Sequence, residues 1–466
     1  MVDQVQHSSA APPPSRTAAD RPAQVAANET PYAWFVVVAL ALTNMVAFLE
    51  RQIVTLLYQP IKADFGISDT EVSLLSGMAF ILFATVFGLY FGRMADRRNR
   101  KWIITLGVVA WSAATVACGM ARNFVQLFLA RISVGVGEAT LGPSAMSMIS
   151  DYFPRHRLAR GLSVYTSSVS AGAGLALVAG GAAIQFVGTL PAIVLPGGEA
   201  LAPWQMTFVL VGLGGLIVLL PLSFVKEPAR RGRIAGAPPA QNLPLSTVFD
   251  YLKSQKSFYG LHVAGFSLAT ILAAGTVSWI PTFFIRHHGW APHEIGYTYG
   301  LIVTVCGVFG VLAGARVAEW MEARGSKDAN VRLPLYAMAA ATIPAVMVPL
   351  VPDPKVALGL LAFGSFIGAL ATAPIWAALQ LVTPNQMRGQ VIAMFGFVVN
   401  IVGMGIGPLV IALLTDFVFK DEARLGWSIV LASVIIKPII LTLFWLCLKA
   451  YRDSLAAYEA ATGDAA

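Results

Sequence analysis

"GRMADRRNRKW", residues 92–102, sets five basic side chains and Asp96 between two apolar runs, 71–92 and 102–121. About 20 apolar residues span a hydrocarbon core of roughly 30 Å as a helix, so each flanking run has the length of one crossing. Working outward from this loop gives twelve such runs: 33–58, 71–92, 102–121, 124–150, 160–187, 204–225, 257–284, 294–316, 331–351, 356–382, 388–415 and 427–448. Backbone in lipid must satisfy its own hydrogen bonds, and barrel strands would be shorter and alternating, so the runs predict helices. Composition agrees: of 466 residues, 57% are hydrophobic and 12% charged, against about 25% charged in soluble domains. The mean hydropathy is +0.70. The expectation is an all-α polytopic membrane protein.

The net charge is +8, and its distribution matters more than its size. With the N-terminus in the cytoplasm, 22 of the 32 Lys and Arg fall in cytoplasmic segments and six in the opposite loops. This is the positive-inside asymmetry, and it predicts both termini on the cytoplasmic side. The basic balance therefore reports topology, and no nucleic-acid partner is expected. Residues 1–30, rich in Ala, Pro and Ser without an apolar core, predict a disordered cytoplasmic tail rather than a signal peptide. Cys118, Cys306 and Cys447 lie in apolar runs with no CxxC or Cys/His spacing, and read as small fillers. The six histidines offer no HExxH and no paired ligands, so neither a metal nor an intramembrane enzyme is expected.

The long polar stretch 226–256 divides six runs from six, and Pro238, Pro239 and Pro244 mark it as a cytoplasmic linker. The division is therefore a bundle over 31–225, the linker, a second bundle over 257–450, and a cytoplasmic tail 451–466. The halves rhyme: aligned on Ala95 and Ala318, Asp96 falls on Glu319 and Arg93 on Arg316, while "RG" recurs at 160–161 and 388–389. Parallel six-helix repeats are the build of transporters whose bundles rock about a midplane site.

The opening stretch resembles the signature G-x-L-A-D-R-x-G-R-K of the major facilitator superfamily at Gly92, Ala95, Asp96, Arg97, Arg100 and Lys101, with Met94 for Leu and Asn99 for Gly. The resemblance implies twelve transmembrane helices in two pseudo-symmetric bundles, and a cytoplasmic latch in which Asp96 pairs with arginines of neighbouring helices in one state. "RISVGVGEA", 131–139, resembles the superfamily's R-x-x-Q-G-x-G at Arg131, Gly135 and Gly137, with Val134 for Gln. There the arginine is associated with proton transfer. The acid at Glu138, the Glu50-Arg51 step, "NRKWII" and "DYF" at 151–153 are similar to the Spinster family of lysolipid and sphingolipid transporters, of which this would be a bacterial homologue. That family's usual pair is Asp-Arg. "GAGLALVAGG", 172–181, matches the antiporter motif in part; its small residues equally suit close helix packing.

Only Glu50 and Glu138, among 24 acids, lie well inside a predicted span. An intramembrane carboxylate is costly and marks a functional site by default. Counting residues places Glu50, Arg51 and Arg131 roughly 10–12 Å below the outer edge, with Glu138 about 10.5 Å deeper on nearly the same face as Arg131. Neighbours on a helix point about 100° apart, so either Glu50 or Arg51 faces the cavity. The sequence leaves both open, and Glu50 facing Arg131 is the working expectation beside a purely structural ion pair. Tyr165, Trp279, Phe283 and Trp376 are candidates to line an apolar cavity, His262 reads as a structural histidine, and Lys437 as a structural or lipid-facing cation.

Burial raises a carboxyl's pKa and a neighbouring arginine lowers it, so a Glu that meets an Arg in one conformation only has two proton affinities. The resulting expectation is a monomeric, proton-coupled secondary transporter of the plasma (inner) membrane, without cofactor beyond the proton gradient. Glu50 and Glu138 would carry the proton and Arg51 and Arg131 the substrate's charge. The resemblance implies an amphipathic lipid, lysophospholipid or sphingosine-phosphate-like, and export. The alternatives are a small organic anion as substrate, or a non-transporting receptor.

Overall fold

Proline and glycine decide where the predicted runs bend. The computed structural model describes residues 31–153, 157–191, 193–194, 200–228, 230, 244–384 and 386–462. The expected tail 1–30 and the linker stretch 231–243 lie outside the described residues. Apart from an isolated bridge between Val194 and Ala200, regular structure among the described residues is helical. In chain order the first half comprises α1 (Pro31–Leu56), α2 (Tyr58–Phe65), α3 (Asp69–Ser76), α4 (Met78–Ala95), α5 (Arg100–Gly119), α6 (Phe124–Glu138), α7 (Leu141–Tyr152), α8 (Leu158–Val187), α9 (Pro203–Gly215) and α10 (Leu219–Ser223). After α11 (Leu245–Ser254) come α12 (Lys256–His288), α13 (Pro292–Ala323), α14 (Ala329–Ala340), α15 (Thr342–Met347), α16 (Pro354–Ala369), α17 (Thr372–Leu381), α18 (Arg388–Val398), α19 (Ile406–Leu413) and α20 (Leu425–Thr462).

Pro143, Pro344 and Pro374 lack the N–H that would bond four residues back, and the spans break after α6, α14 and α16 where those bonds would fall. Ten helical stretches among the described residues are long and apolar enough to cross a bilayer, and α8, bent by 40°, makes an eleventh. The remaining predicted run, 331–351, is divided among α14, α15 and a 3₁₀ turn, which is compatible with a twelfth crossing. Two π-helical segments, Val399–Gly405 and Leu414–Phe419, flank α19. Two boundaries differ from expectation. The last helix runs on to Thr462, so much of the expected tail 451–466 continues α20, and the expected linker contains α11, anchored by buried Val248.

The two bundles meet along a seam of small residues between α8 and α13. A Cβ on Gly174 would lie 2.4 Å from the Gly300 carbonyl oxygen, and one on Gly181 would lie 3.0 Å from that of His293. Only glycine lets these backbones approach so closely. The paired Ala95 and Ala318 of the internal repeat are both buried, Ala95 closing α4 and Ala318 in the last two turns of α13.

Candidate functional site

The helix carrying Arg131 and Glu138 sits deep in the first bundle because its glycines are tightly covered. A Cβ at Gly135 would meet the Phe80 carbonyl oxygen at 2.7 Å, and one at Gly137 the Trp111 side chain at 2.7 Å. This contact brings α6 against α4 and α5 and carries its charged residues to α1. Arg131 is fully buried. Its guanidinium donates to three backbone carbonyls, those of Leu75 (3.2 Å), Glu50 (3.1 Å) and Arg51 (3.2 Å). The break between α3 and α4 at Gly77 frees carbonyls at the end of α3, and Arg131 satisfies one of them. Arg131 thus lies level with Glu50, as counted from the sequence, but it grips the main chain and not the carboxylate.

The orientation of the Glu50-Arg51 step is the reverse of the working expectation. Glu50 is fully buried and points between α1, α5 and α9. Ser112 donates to Oε1 at 3.2 Å and the Thr115 hydroxyl reaches Oε2. Gly215 leaves the room, since a Cβ there would stand 2.0 Å from Oε1. The rotation of α1 that gives Glu50 these hydroxyls turns Arg51 the other way. Arg51 Nη2 donates to Glu138 Oε2 at 2.7 Å, with the arginine side chain 25% exposed and the glutamate 3%. Its guanidinium also lies over the rings of Phe48 and Phe80, 4.7 and 4.4 Å from their centroids, a cation–π arrangement that fixes its direction. Arg51, not Glu50, is the member of the step that meets an acid and is partly exposed.

The Thr115 hydroxyl also lies 2.9 Å from the Trp111 carbonyl. A hydroxyl has one proton to give. It goes either to an ionised Glu50 or, when Glu50 is protonated and donates to Thr115, onward to Trp111. Both charge states of Glu50 are therefore hydrogen-bonded in place.

At the loop 92–102 the ion pairs belong to Arg100. Its buried guanidinium bonds Asp151, Glu227 (2.7 Å) and Ser147 (2.8 Å). Lys101 donates from its backbone to Glu227 (3.0 Å) and from Nζ to the Ser223 carbonyl (2.8 Å). Asp96 and Arg97 are exposed, Gly92 faces Pro143, and the Asp96 carbonyl accepts from Arg230. The carboxylate of Asp96 has no ion-pair partner among the described residues. Of the expected cavity aromatics, Tyr165, Trp279 and Phe283 are buried in helix packing, because each meets a neighbouring helix before any opening. Trp279 donates to the Pro408 carbonyl at 2.8 Å, and Trp376 packs on Phe266 and Phe395. His262 is structural as expected, bonded to the Ile375 carbonyl (3.0 Å) and stacked on Phe258 and Phe395.

One constellation went unpredicted. At the end of the bundles opposite the termini, Arg286 of α12 makes two bonds to the fully buried Asp69 of α3, at 2.6 and 2.7 Å. Arg286 also pairs with Glu422 (3.1 Å), Glu422 with Lys62 (2.8 Å), and Lys62 with Asp69. Beside them the Thr70 amide donates to Asp416 at 2.6 Å. These charges clasp the two bundles shut at that face. They lie at or near the ends of four separate segments, outside the deep parts of the spans where a charge stands out in the sequence. "ISDTEV", with its capping box of Ser68 and Glu71, was the available signal.

Two helical bundles joined along a glycine seam, with an intramembrane ion pair in one of them, define a secondary transporter. The Major Facilitator Superfamily model matches residues 40–449, and the chain belongs to that superfamily. It is 27% identical over 428 residues to an MFS-type efflux pump of Mycolicibacterium smegmatis, covering 91% of this chain and 94% of that protein. It also resembles the protein spinster of Drosophila melanogaster, at 24% identity over 322 residues and 67% of this chain. The chain spans about half of that relative, 49% of its length. The fold matches a solved bacterial homologue of the human lysosomal transporter Spinster, inward-facing and unoccupied, with a TM-score of 0.77 at 23% identity over 91% of this chain and 98% of that one.

Proposed function

We propose that this protein is a proton-coupled transporter of the plasma membrane, with cytoplasmic termini, that exports a single-chain amphipathic lipid such as a lysophospholipid or sphingosine-phosphate-like molecule. The observation that carries the reading is the Arg51–Glu138 pair at 2.7 Å, one member partly exposed and the other sealed. A zwitterionic head group would set its phosphate on Arg51 and its ammonium on Glu138, so substrate and proton compete for that carboxylate and exchange in opposite directions. Proton and substrate then occupy one pair in turn, which is the differential interaction that alternating access requires. Glu50, whose hydroxyl partners suit both its charge states, is the second proton carrier, and Arg131 holds α1 in register beside it. The small organic anion remains the second reading, because Arg51 would grip a carboxylate equally well.

The test is flux in proteoliposomes under an imposed pH gradient, with fluorescent lysophosphatidylcholine or sphingosine phosphate on one side and a hexuronate in a parallel set. Gradient-dependent movement of a lipid, lost in Glu138→Gln and Arg51→Gln, is the expected result. Full gradient-dependent flux in both Glu50→Gln and Glu138→Gln would end the coupling mechanism, and movement of the hexuronate alone would replace the lipid.

A further inference from the structure

The second bundle contains a cavity of its own. It occupies about 350 Å³ between α12, α13, the α14–α16 region and α20, and every residue lining it comes from this bundle. That volume is at the lower end of the range for small-molecule sites. The walls are apolar, built from side chains such as Leu272, Val303 and Leu361, with glycine at 364 and 368. Into this space α20 presents a stripe at helical spacing, Ile429, Ser433 and Lys437.

Lys437 is the anomaly. It is 7% exposed and lies twelve residues into α20, roughly 18 Å from its start at 1.5 Å per residue. It makes no hydrogen bond and no ion pair among the described residues, and no carboxylate lines the cavity. A cation held at this depth normally has a partner or lines a functional path. The lipid-facing role does not describe it, since the side chain lines a cavity inside the bundle. Here the protein supplies the cation and an apolar chamber, and leaves the counter-charge to come from elsewhere.

We infer that this cavity is a binding site for a single-chain amphipath with an anionic head, a carboxylate or phosphate monoester, whose head pairs with Lys437 and Ser433 while its alkyl chain lies along the apolar wall toward Gly368. The site is separate from the Arg51–Glu138 pair, so it stands whether or not a lipid is the transported substrate.

The experiment is photolabelling of the full chain in nanodiscs with a diazirine-bearing palmitate and with the matched neutral monoglyceride, followed by peptide mapping. The palmitate probe should label cavity peptides spanning 338–368 and 429–440, and unlabelled palmitate should compete where inorganic phosphate at the same concentration does not. Lys437→Gln should lower palmitate labelling there at least tenfold and leave monoglyceride labelling unchanged. Gly368→Leu, at a position where a Cβ meets nothing within 4 Å, fills the chamber and should lower both. Thermal unfolding of each variant separates loss of the site from loss of the fold. Equal palmitate labelling in wild type and Lys437→Gln would overturn the inference, as would labelling confined to other peptides or competition by phosphate alone. Glu138→Gln, expected to abolish flux, should retain the labelling, so failure of transport and failure of this site are read separately.

Discussion

Glu50 and Arg51 are adjacent, yet they do different work because a helix turns about 100° between them. One is given two hydroxyls and no cation, and the other a carboxylate and two aromatic faces. A sealed carboxyl depends on each donor it has, since a buried acceptor left unsatisfied costs about 1–3 kcal/mol. Thr115→Val should therefore destabilise the protein by about that amount, while Thr115→Ser, which keeps the hydroxyl, should not. Fluorescence-detected thermal unfolding in detergent is the measurement. A valine variant as stable as wild type would mean that Thr115 is not what holds Glu50. The sequence located both charges and their level with Arg131, because depth follows from residue count. It did not reveal which one is partly exposed, because that depends on how α1 is rotated by Gly215, Ser112 and Phe80 on three other elements.

At the scale of elements, twelve apolar runs were legible because lipid demands about 20 residues per crossing. Their interruptions were less so. The breaks before Pro143, Pro344 and Pro374 follow from a missing N–H, but Pro281 and Pro438 lie inside continuous helices. A proline's presence alone does not say which outcome packing will choose. The seam between α8 and α13 was likewise visible only as a partial motif, and the structure gives it the close-packing role. Gly174→Ala would set a methyl 2.4 Å from the Gly300 carbonyl and 2.2 Å from Thr304 Oγ1. The seam should part, lengthening the distance between spin labels at Thr189 and Lys420, one on each bundle at the clasped face. An unchanged distance distribution by pulsed electron resonance would mean that the seam does not set the bundle separation.

For the whole molecule, the clasp of Asp69, Arg286, Glu422 and Lys62 makes closure of one face an electrostatic event. Removing one member of a buried pair costs about 3–5 kcal/mol. Asp69 keeps Lys62 when Arg286 is lost, so Arg286→Gln should shift the closed–open equilibrium by about tenfold or more toward open, at 1.4 kcal/mol per tenfold. Accessibility of a cysteine placed at Tyr58, buried against Trp279 beneath the clasp, should rise accordingly, and the Asp69→Arg, Arg286→Asp double exchange should restore part of the protection. Equal accessibility in wild type and Arg286→Gln would show that the clasp does not hold the face shut. The eleventh run adds a mechanical consequence. A π-helical turn carries more residues than an α turn, so the segments Val399–Gly405 and Leu414–Phe419 store slack on either side of α19. Converting one of them to α geometry would release about one residue of register, near 1.5 Å of travel and 100° of rotation. The first segment bears on Gly77, where the chain approaches the Gly405 carbonyl, and the second carries Asp416 under the Thr70 amide. Such a turn in the second segment would shift Asp416 against the Thr70 amide, so the register of this run is tied to the contact between the bundles.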